Sequence, residues 1–486
     1  MPIAVDYRPS VTVVAATSPE PAASNGALMA AARVAPGLAA LLILWFAPTH
    51  SSTDARHAVA IAVATIIWWA TRPVDHAWTG LFSLVLFVVS GTGSIDDALS
   101  GFWNSTTRFL FGALLIGTFV SRTGLARRIA FSFAARMGSS YRGLLLSLVT
   151  ADFLLTFLIP SGIARVAVLA AIVAGLAEAI GLGKRDPAAR GLMIAVTCSA
   201  SLFDKMVLAG TSSILASGII EQIGGERISY GLWFLAYVPC DILTILGCWR
   251  LILWLFPDTS GAFTESLGYF RRELDALGPM AAAERRATLL VVCAVALWLT
   301  DFIHEIAPAT VALVVGGIGL LPRVGVASPR DLLRLPYKTL VFTATALSMS
   351  TLLLDTGALE MLTASMVGWM RALVHGPASA ALVLYWAAFG YHLLLGAQNL
   401  MVTATLPPVI TLGQSLGYSP AVIGMIWVFG TAGKIFPYQS GVLMVGYSYG
   451  YFDGRDLLKV GFLLALLESA ILFLLVPLYW PLVGLL

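Results

Sequence analysis

GLLLSLVTADFLLTFLIPSGIARVAVLAAIVAGLAEAIGL, residues 143–182, is an apolar run interrupted at its midpoint by Pro160-Ser161-Gly162. A membrane-spanning helix needs about 20 apolar residues, so this run has twice the length of one span and a helix breaker at its centre. It reads as two helical arms that enter a bilayer and return on the same side, a re-entrant hairpin. Residues 379–416, SAALVLYWAAFGYHLLLGAQNLMVTATLPPVITLGQSL, repeat the pattern with the break at Gly396-Ala397-Gln398-Asn399.

Working outward, the whole chain demands a bilayer as solvent. Of 486 residues, 58% are hydrophobic and 11% charged, with a mean hydropathy of +0.87, against roughly a quarter charged in soluble domains. Long unbroken apolar runs exclude a β-barrel. The net charge of +3 gives no reason to expect a nucleic-acid partner. Cys198, Cys240, Cys248 and Cys293 lie in apolar segments without metal or redox spacing and read as buried, inert thiols. Residues 1–28 are polar and rich in Pro, Ala and Ser, and read as a disordered tail rather than a cleaved signal.

Further spans are expected near 31–48, 57–71, 77–93, 108–121, 190–222, 231–256, 287–303, 307–322, 338–354, 420–450 and 457–484, eleven in all. Of these, 190–222 and 420–450 are too long for simple spans and are broken by Gly, Ser or Pro. Positive residues gather on the cytoplasmic side. Arg122, Arg127, Arg128, Arg136 and Arg142 precede the first hairpin, and Lys184, Arg185 and Arg190 follow it. Further clusters are Arg271, Arg272, Arg285 and Arg286, then Arg323, Arg330, Arg334 and Lys338, then Arg455 and Lys459. The second hairpin has only Arg371 before it, so it enters from outside. This arrangement places the N-terminus in the cytoplasm and the C-terminus outside. LIGTFVSRTGL (Leu115–Leu125) matches LSMSTLLLDTGAL (Leu347–Leu359), and in each half an amphipathic stretch, a broken hairpin and a broken span follow. The expected fold is therefore an all-α polytopic membrane protein with an inverted repeat, the pattern of alternating-access carriers. The expected parts are scaffold helices over 29–141, a transport part over 142–256, a cytoplasmic linker and scaffold over 257–378, and a transport part over 379–486.

Helix breaks inside a membrane expose backbone groups, which is tolerable where they line a cavity, and a helix N-terminus there attracts an anion. The first tip offers Ser161 and Gly162, and the second Gln398, Asn399 and Thr403. The companion breaks are Gly210-Thr211-Ser212-Ser213 and Pro437-Tyr438-Gln439-Ser440-Gly441. Arg165 and Lys434 are candidates to neutralise a bound carboxylate, or else to pair with an acid, since ionisable residues inside spans are costly unless paired or functional. Asp204 and Lys205 are adjacent, about 100° apart on a helix, and should find separate partners. For ion coupling the candidates are Ser161, Thr211, Ser213, Asn399 and Asp204. Asp152, Asp241, Asp301, His392 and Glu468 could carry protons, with interhelical anchoring as the simpler role. No Walker A or HExxH motif occurs, so neither ATP-driven transport nor enzyme chemistry is expected.

The hairpin tips, the broken spans and the stretches LGPMAAAERRATLLVVCAVALWLTD (Leu277–Asp301), GTSSILASGIIEQIGG (Gly210–Gly225) and FPYQSGVLMVGYSYGYFDGRDLLKVG (Phe436–Gly461) resemble the divalent anion:sodium symporter (DASS) family, within the ion transporter superfamily. The resemblance runs from about Phe102 to Leu486. It implies a homodimer in the inner membrane, a mobile part that slides like an elevator, a small anionic substrate between the tips, and a coupling sodium ion or proton with no other cofactor. The family's tips carry Ser-Asn-Thr. Here the first keeps only Ser161 and the second only Asn399, while the partner loops keep Gly210, Thr211 and Pro437. These departures remove oxygen ligands from both presumed sodium sites, leaving proton coupling, exchange and uniport open. The expected activity is secondary transport of a small organic anion such as a dicarboxylate. The alternatives are a sulfate or sulfonate carrier and a proton-coupled cation or metalloid antiporter.

Overall fold

The computed structural model describes residues 23–48 and 51–486, and these form helices and turns with no strand. Of the tail expected over 1–28, residues 1–22 lie outside the described residues, and from Ala23 the chain is already helical. The first quarter comprises α1 (Ala23–Trp45), α2 (Thr53–Thr71), α3 (His76–Val89), α4 (Ile95–Trp103), α5 (Ser105–Thr123) and α6 (Leu125–Met137). The first long apolar run is α7 (Tyr141–Leu158) and α8 (Gly162–Ala179), split at the expected break. The 190–222 span is likewise split, into α9 (Pro187–Leu202) and α10 (Thr211–Gly224), and α11 (Tyr230–Leu255) follows. The middle of the chain holds α12 (Ser266–Ala276), α13 (Ala282–Leu299), α14 (Asp301–His304), α15 (Pro308–Leu320), α16 (Pro329–Leu332), α17 (Tyr337–Asp355) and α18 (Ala358–Leu362). The second run is α19 (Pro377–Leu394) and α20 (Gln398–Ser415), then the split span α21 (Pro420–Gly430) and α22 (Gly441–Ser448), and finally α23 (Gly454–Leu478). Among the described residues six helices, α7, α8, α11, α17, α19 and α23, are long and apolar enough to cross a bilayer unaided. The other expected spans fall on shorter or broken helices, so length and composition alone establish six.

Both long runs turn back on themselves. The outer ends of α7 and α8 meet the same element, α12: Ser266 donates to the Gly138 carbonyl just before α7, and a Cβ on Gly175 of α8 would lie 2.8 Å from the Tyr269 hydroxyl. At the second run, Arg371 before α19 donates to Ser415 at the end of α20 (2.7 Å). The two hairpins are anchored by different sets of loops. Around the first, the arginine-rich loops hold one another: Arg128 bonds Glu284 (2.5 Å) and the Gly278 carbonyl, Trp249 donates to the Arg142 carbonyl, and Arg190 pairs with Asp456. Around the second, Ser419 donates to Glu226 (2.7 Å) beyond the far end of α10.

The repeat is also visible in backbone conformation. Gly124 (φ +78°) turns α5 into α6, and Gly357 (φ +72°) turns α17 into α18. This left-handed conformation is one that glycine adopts without steric cost, and both glycines follow threonine in the paired segments noted above. The bend at Gly124 is 62°. After Gly357 the chain loosens into π-helical turns (Thr363–Val367) and a 3-10 segment (Gly368–Ala372) instead of a second long amphipathic helix.

Packing separates two groups of helices. In one, α4 and α3 lie against α17, and α15 lies against α5. Approach is close there because Gly101 donates its N–H to Ser348 (3.0 Å), and a Cβ at that position would lie 2.0 Å from the Ala344 carbonyl oxygen. In the other, α9 lies between α7, α8 and α22, and α19 lies against α21 and α23. Cys198, Cys240 and Cys248 are buried as expected, whereas Cys293 on α13 is exposed.

Candidate anion site at the helix breaks

Four helices begin at one cavity. Gly162 starts α8, Thr211 starts α10, Gln398 starts α20 and Gly441 starts α22, and all four residues line a space of about 520 Å³. Each N-terminus has backbone N–H groups without a partner inside its helix and carries roughly half a positive charge. Ser161 and Ser440 cap two of them, accepting from the Ala164 N–H (3.3 Å) and the Val442 N–H (3.2 Å).

The breaks are fastened to one another. Thr211 donates to the Pro160 carbonyl (3.2 Å), joining the first tip to the first broken span. Gln398 Nε2 donates to Ser212 Oγ (3.1 Å) and Thr431 Oγ1 (3.2 Å), joining the second tip to both broken spans. Glycine at position 162 is required by this approach: a Cβ would stand 2.9 Å from Val442 Cγ2 and 3.0 Å from the Ala200 carbonyl oxygen.

Of the residues expected to bind substrate or ion, Ser161, Gly162, Asp204, Thr211, Gln398, Asn399 and Ser440 line the cavity. Asp204 Oδ2 accepts from Ser212 (2.6 Å), while Oδ1 is buried without a hydrogen-bond partner among the described residues. The structure turns the other candidates away. Arg165 is fully buried, donating to Asp152 (3.1 Å), the Ile159 carbonyl (3.0 Å) and the Ala200 carbonyl (2.8 Å), so it locks the first tip from behind. Thr403 donates to the Asn399 carbonyl within its own helix. Gln439 Oε1 accepts the N–H groups of Ile435 and Phe436, both at 2.8 Å, which shapes the 431–440 loop. Ser213 holds the carbonyls of Asp204 and Lys205. Ser212 is buried behind Asp204 and Gln398. Lys434 is buried with Ser201 as its hydrogen-bond acceptor (2.8 Å), beside a separate small cavity that also touches Glu468. Asp204 and Lys205 do find separate partners: Lys205 pairs with Glu468 and lies 3.3 Å from Asp241.

Sequence reasoning missed the opposite wall. Asp75, His76, Lys338, Thr339 and Phe342, from the starts of α3 and α17, complete the cavity. Lys338 donates to Asp75 (2.9 Å). Burial opposes the ionisation of Asp75, but the Lys338 and Ala77 hydrogen bonds outweigh it and hold its carboxyl below the usual range. The only signal these residues gave in the sequence was a basic loop. A second cavity of about 1050 Å³ adjoins the first, sharing Leu114, Ser161 and Pro336 with it, and its outer wall carries Arg122, Arg330 and Arg334. Arg122 is paired with Asp331.

Comparison with known proteins agrees in length and in kind. The profile of the sodium:sulfate symporter transmembrane region matches residues 29–486. A membrane protein of Cupriavidus necator is 27% identical over 470 residues, covering 92% of each chain. The citrate/succinate antiporter of Escherichia coli is 24% identical over 467 residues, covering 90% of this chain and 94% of its own. The L-tartrate/succinate antiporter of the same organism is 25% identical over 410 residues, 80% of this chain and 81% of its own.

Proposed function

The chain belongs to the sodium:sulfate symporter family, and on that premise we propose that it is a multi-pass carrier of the plasma membrane that exchanges small organic anions of the dicarboxylate and tricarboxylate class. The observation that carries this reading is the meeting of four helix N-termini at one cavity. Their dipoles favour carboxylate, and a cavity of about 520 Å³ is of a size for a small metabolite. One substrate carboxylate is assigned to the first tip, at Ser161 and Thr211, and another to the second tip, at Gln398, Asn399 and Ser440. Asp204 would repel the anion, so it is the group at which a coupling proton or cation acts.

Exchange is favoured over sodium symport by charges built into the chain. The Arg165 guanidinium already occupies the free carbonyls of Ile159 and Ala200 at the first tip, acceptors of the kind a bound sodium would use. Lys434 places a second cation in the 431–440 loop, with a hydroxyl as its hydrogen-bond partner. The two named antiporter relatives fit this reading.

The elevator motion assigns α7–α11 and α19–α23 to the moving part, which slides against α3–α5, α15 and α17 in each protomer of a homodimer. The arginine-rich end is the cytoplasmic one, which puts the N-terminus inside and the C-terminus outside, and makes the larger cavity a cytoplasmic vestibule. Proteoliposomes loaded with succinate should take up labelled succinate or citrate, with sodium replaced by choline making no difference. Uptake that needs sodium and no internal anion would overturn exchange. Absence of uptake of any carboxylate would overturn the substrate class, and inorganic sulfate in the same assay tests the oxyanion alternative.

A further inference from the structure

Behind the cavity, outside the residues assigned to substrate, lies a buried charge cluster with one acid left over. Lys205, in the loop between α9 and α10, sits between Glu468 of α23 and Asp241 of α11, and all three are 1% exposed. The two acids are not treated alike. Glu468 is paired with the Lys205 ammonium through Oε1 and accepts the Tyr385 hydroxyl from α19 through Oε2 (2.9 Å). Asp241 has Lys205 at 3.3 Å and no hydrogen bond to either carboxylate oxygen among the described residues. The remaining polar groups around the cluster are Tyr237 and Cys240 on α11 and Lys434 in the 431–440 loop. Tyr237 donates to the Met425 carbonyl and Lys434 to Ser201. Neither is turned to Asp241. The Lys205 ammonium also lies over the Phe429 ring, 5.0 Å from its centre, which leaves little of it for a second carboxylate.

An ionised carboxylate in a dry interior persists when donors surround it, and Asp241 faces only the Lys205 ammonium, which Glu468 already holds. We propose that Asp241 is a proton-binding site, holding an exchangeable proton apart from the substrate cavity and passing its charge state to that cavity through Lys205. The connection is short. Lys205 is the next residue after Asp204, the acid at the cavity wall, and Ser213 ties the two carbonyls together at 3.1 and 3.0 Å. Trp233 of α11 donates to the Lys205 carbonyl (2.9 Å), fixing that peptide to the helix that bears Asp241. When Asp241 gives up its proton, the Lys205 ammonium is drawn between two carboxylates and pulls on this loop. When Asp241 takes the proton back, Glu468 keeps Lys205 alone. Balance is kept by the proton itself, which leaves as one positive charge and returns as one. A small cavity bounded by Ser201, Lys434 and Glu468 adjoins the cluster, and it is of the size that holds a single water.

The site is read by infrared spectroscopy on the purified, unmodified protein, a measurement that does not depend on which anion is carried. The protein should show a protonated-carboxyl stretching band at neutral pH that shifts with carbon-13 aspartate and not with carbon-13 glutamate. The band should be lost in Asp241→Asn, whose amide imitates the neutral acid and should leave the thermal midpoint unchanged, and kept in Glu468→Gln. In proteoliposomes, the change in exchange rate from about pH 5 to about pH 8 should flatten in Asp241→Asn. A wild-type protein without an aspartate-sensitive band overturns the proposal, as does a band whose intensity is undiminished in Asp241→Asn. A fall of the Asp241→Asn midpoint by several degrees would mean that Asp241 is an ionised partner of Lys205, and would overturn it too.

Discussion

Asn399 and Arg165 were both expected at the substrate, and the structure separates them. Asn399 reaches the cavity. Its replacement by alanine should weaken binding by about 10- to 100-fold, the equivalent of the ~1.5–3 kcal/mol of a hydrogen bond to a charged group, with the thermal midpoint held. A labelled-succinate binding isotherm and a melting curve on the same sample check this. Arg165 donates to Asp152 and two carbonyls at 0% exposure. Arg165→Ala should therefore act on stability, by about 3–5 kcal/mol, because it strands a buried carboxylate, and Asp152→Asn together with Arg165→Gln should recover part of that loss by neutralising both. Melting temperatures of the single and double variants decide it. The Asp75–Lys338 pair behaves differently again. The carboxyl of Asp75 is held below its usual range, so the pair contributes fully above the ordinary aspartate value near about 4 and is lost only as pH falls through the depressed one. A Lys338→Gln variant should thus keep whatever pH dependence of exchange exists across the neutral range.

At the scale of elements, the breaks are what could be read in advance, because a helix breaker at the centre of an apolar run twice the needed length leaves few other structures. Pro160-Ser161-Gly162 and Gly396 to Asn399 separate α7 from α8 and α19 from α20 where expected, and the paired glycines at 124 and 357 mark the repeat. The direction of each side chain at a break was not legible, since it depends on partners far along the chain. Arg165 is turned inward by Ala200 of α9, and Gln439 faces His392 of α19. Lys338 and Asp75 were hidden in the same way: in sequence they are loop charges, and only the packing of α3 beside α17 brings them to the cavity. A test that belongs to this scale is Gly162→Ala. Its methyl would press Val442 and the Ala200 carbonyl, costing about 1–3 kcal/mol as overpacking does and prising the first tip from the second broken span. The KM for exchange should rise while Gly183→Ala, placed where a Cβ meets nothing within 4 Å, leaves it unchanged.

For the whole molecule, alternating access requires one group of helices to slip past another, and α10 is where the two groups touch most plainly. It packs on α20 and α21 on one side and on α17 and α5 on the other. Its scaffold-facing contacts are specific: Gln222 donates to Thr351 of α17, and Gly218 sits where a Cβ would lie 2.5 Å from the Thr106 hydroxyl of α5. A glycine at a sliding face keeps the surfaces close and nearly smooth, and a single hydrogen bond such as Gln222 to Thr351 can break and reform, since the net worth of one is about 1 kcal/mol. On the proposed elevator motion, this seam would offer little resistance to sliding. If α10 travels with the substrate site, tying it to α17 must stop transport without touching the cavity. In a background with exposed Cys293 replaced by serine, cysteines at 222 and 351 joined by a short thiol-reactive linker should abolish counterflow, and cutting the linker should restore it. Succinate binding measured on the linked protein should persist, because Ser161, Thr211 and Asn399 keep their places. Undiminished exchange in the fully linked protein would mean that α10 and α17 move as one body, and the sliding surface would have to be sought elsewhere.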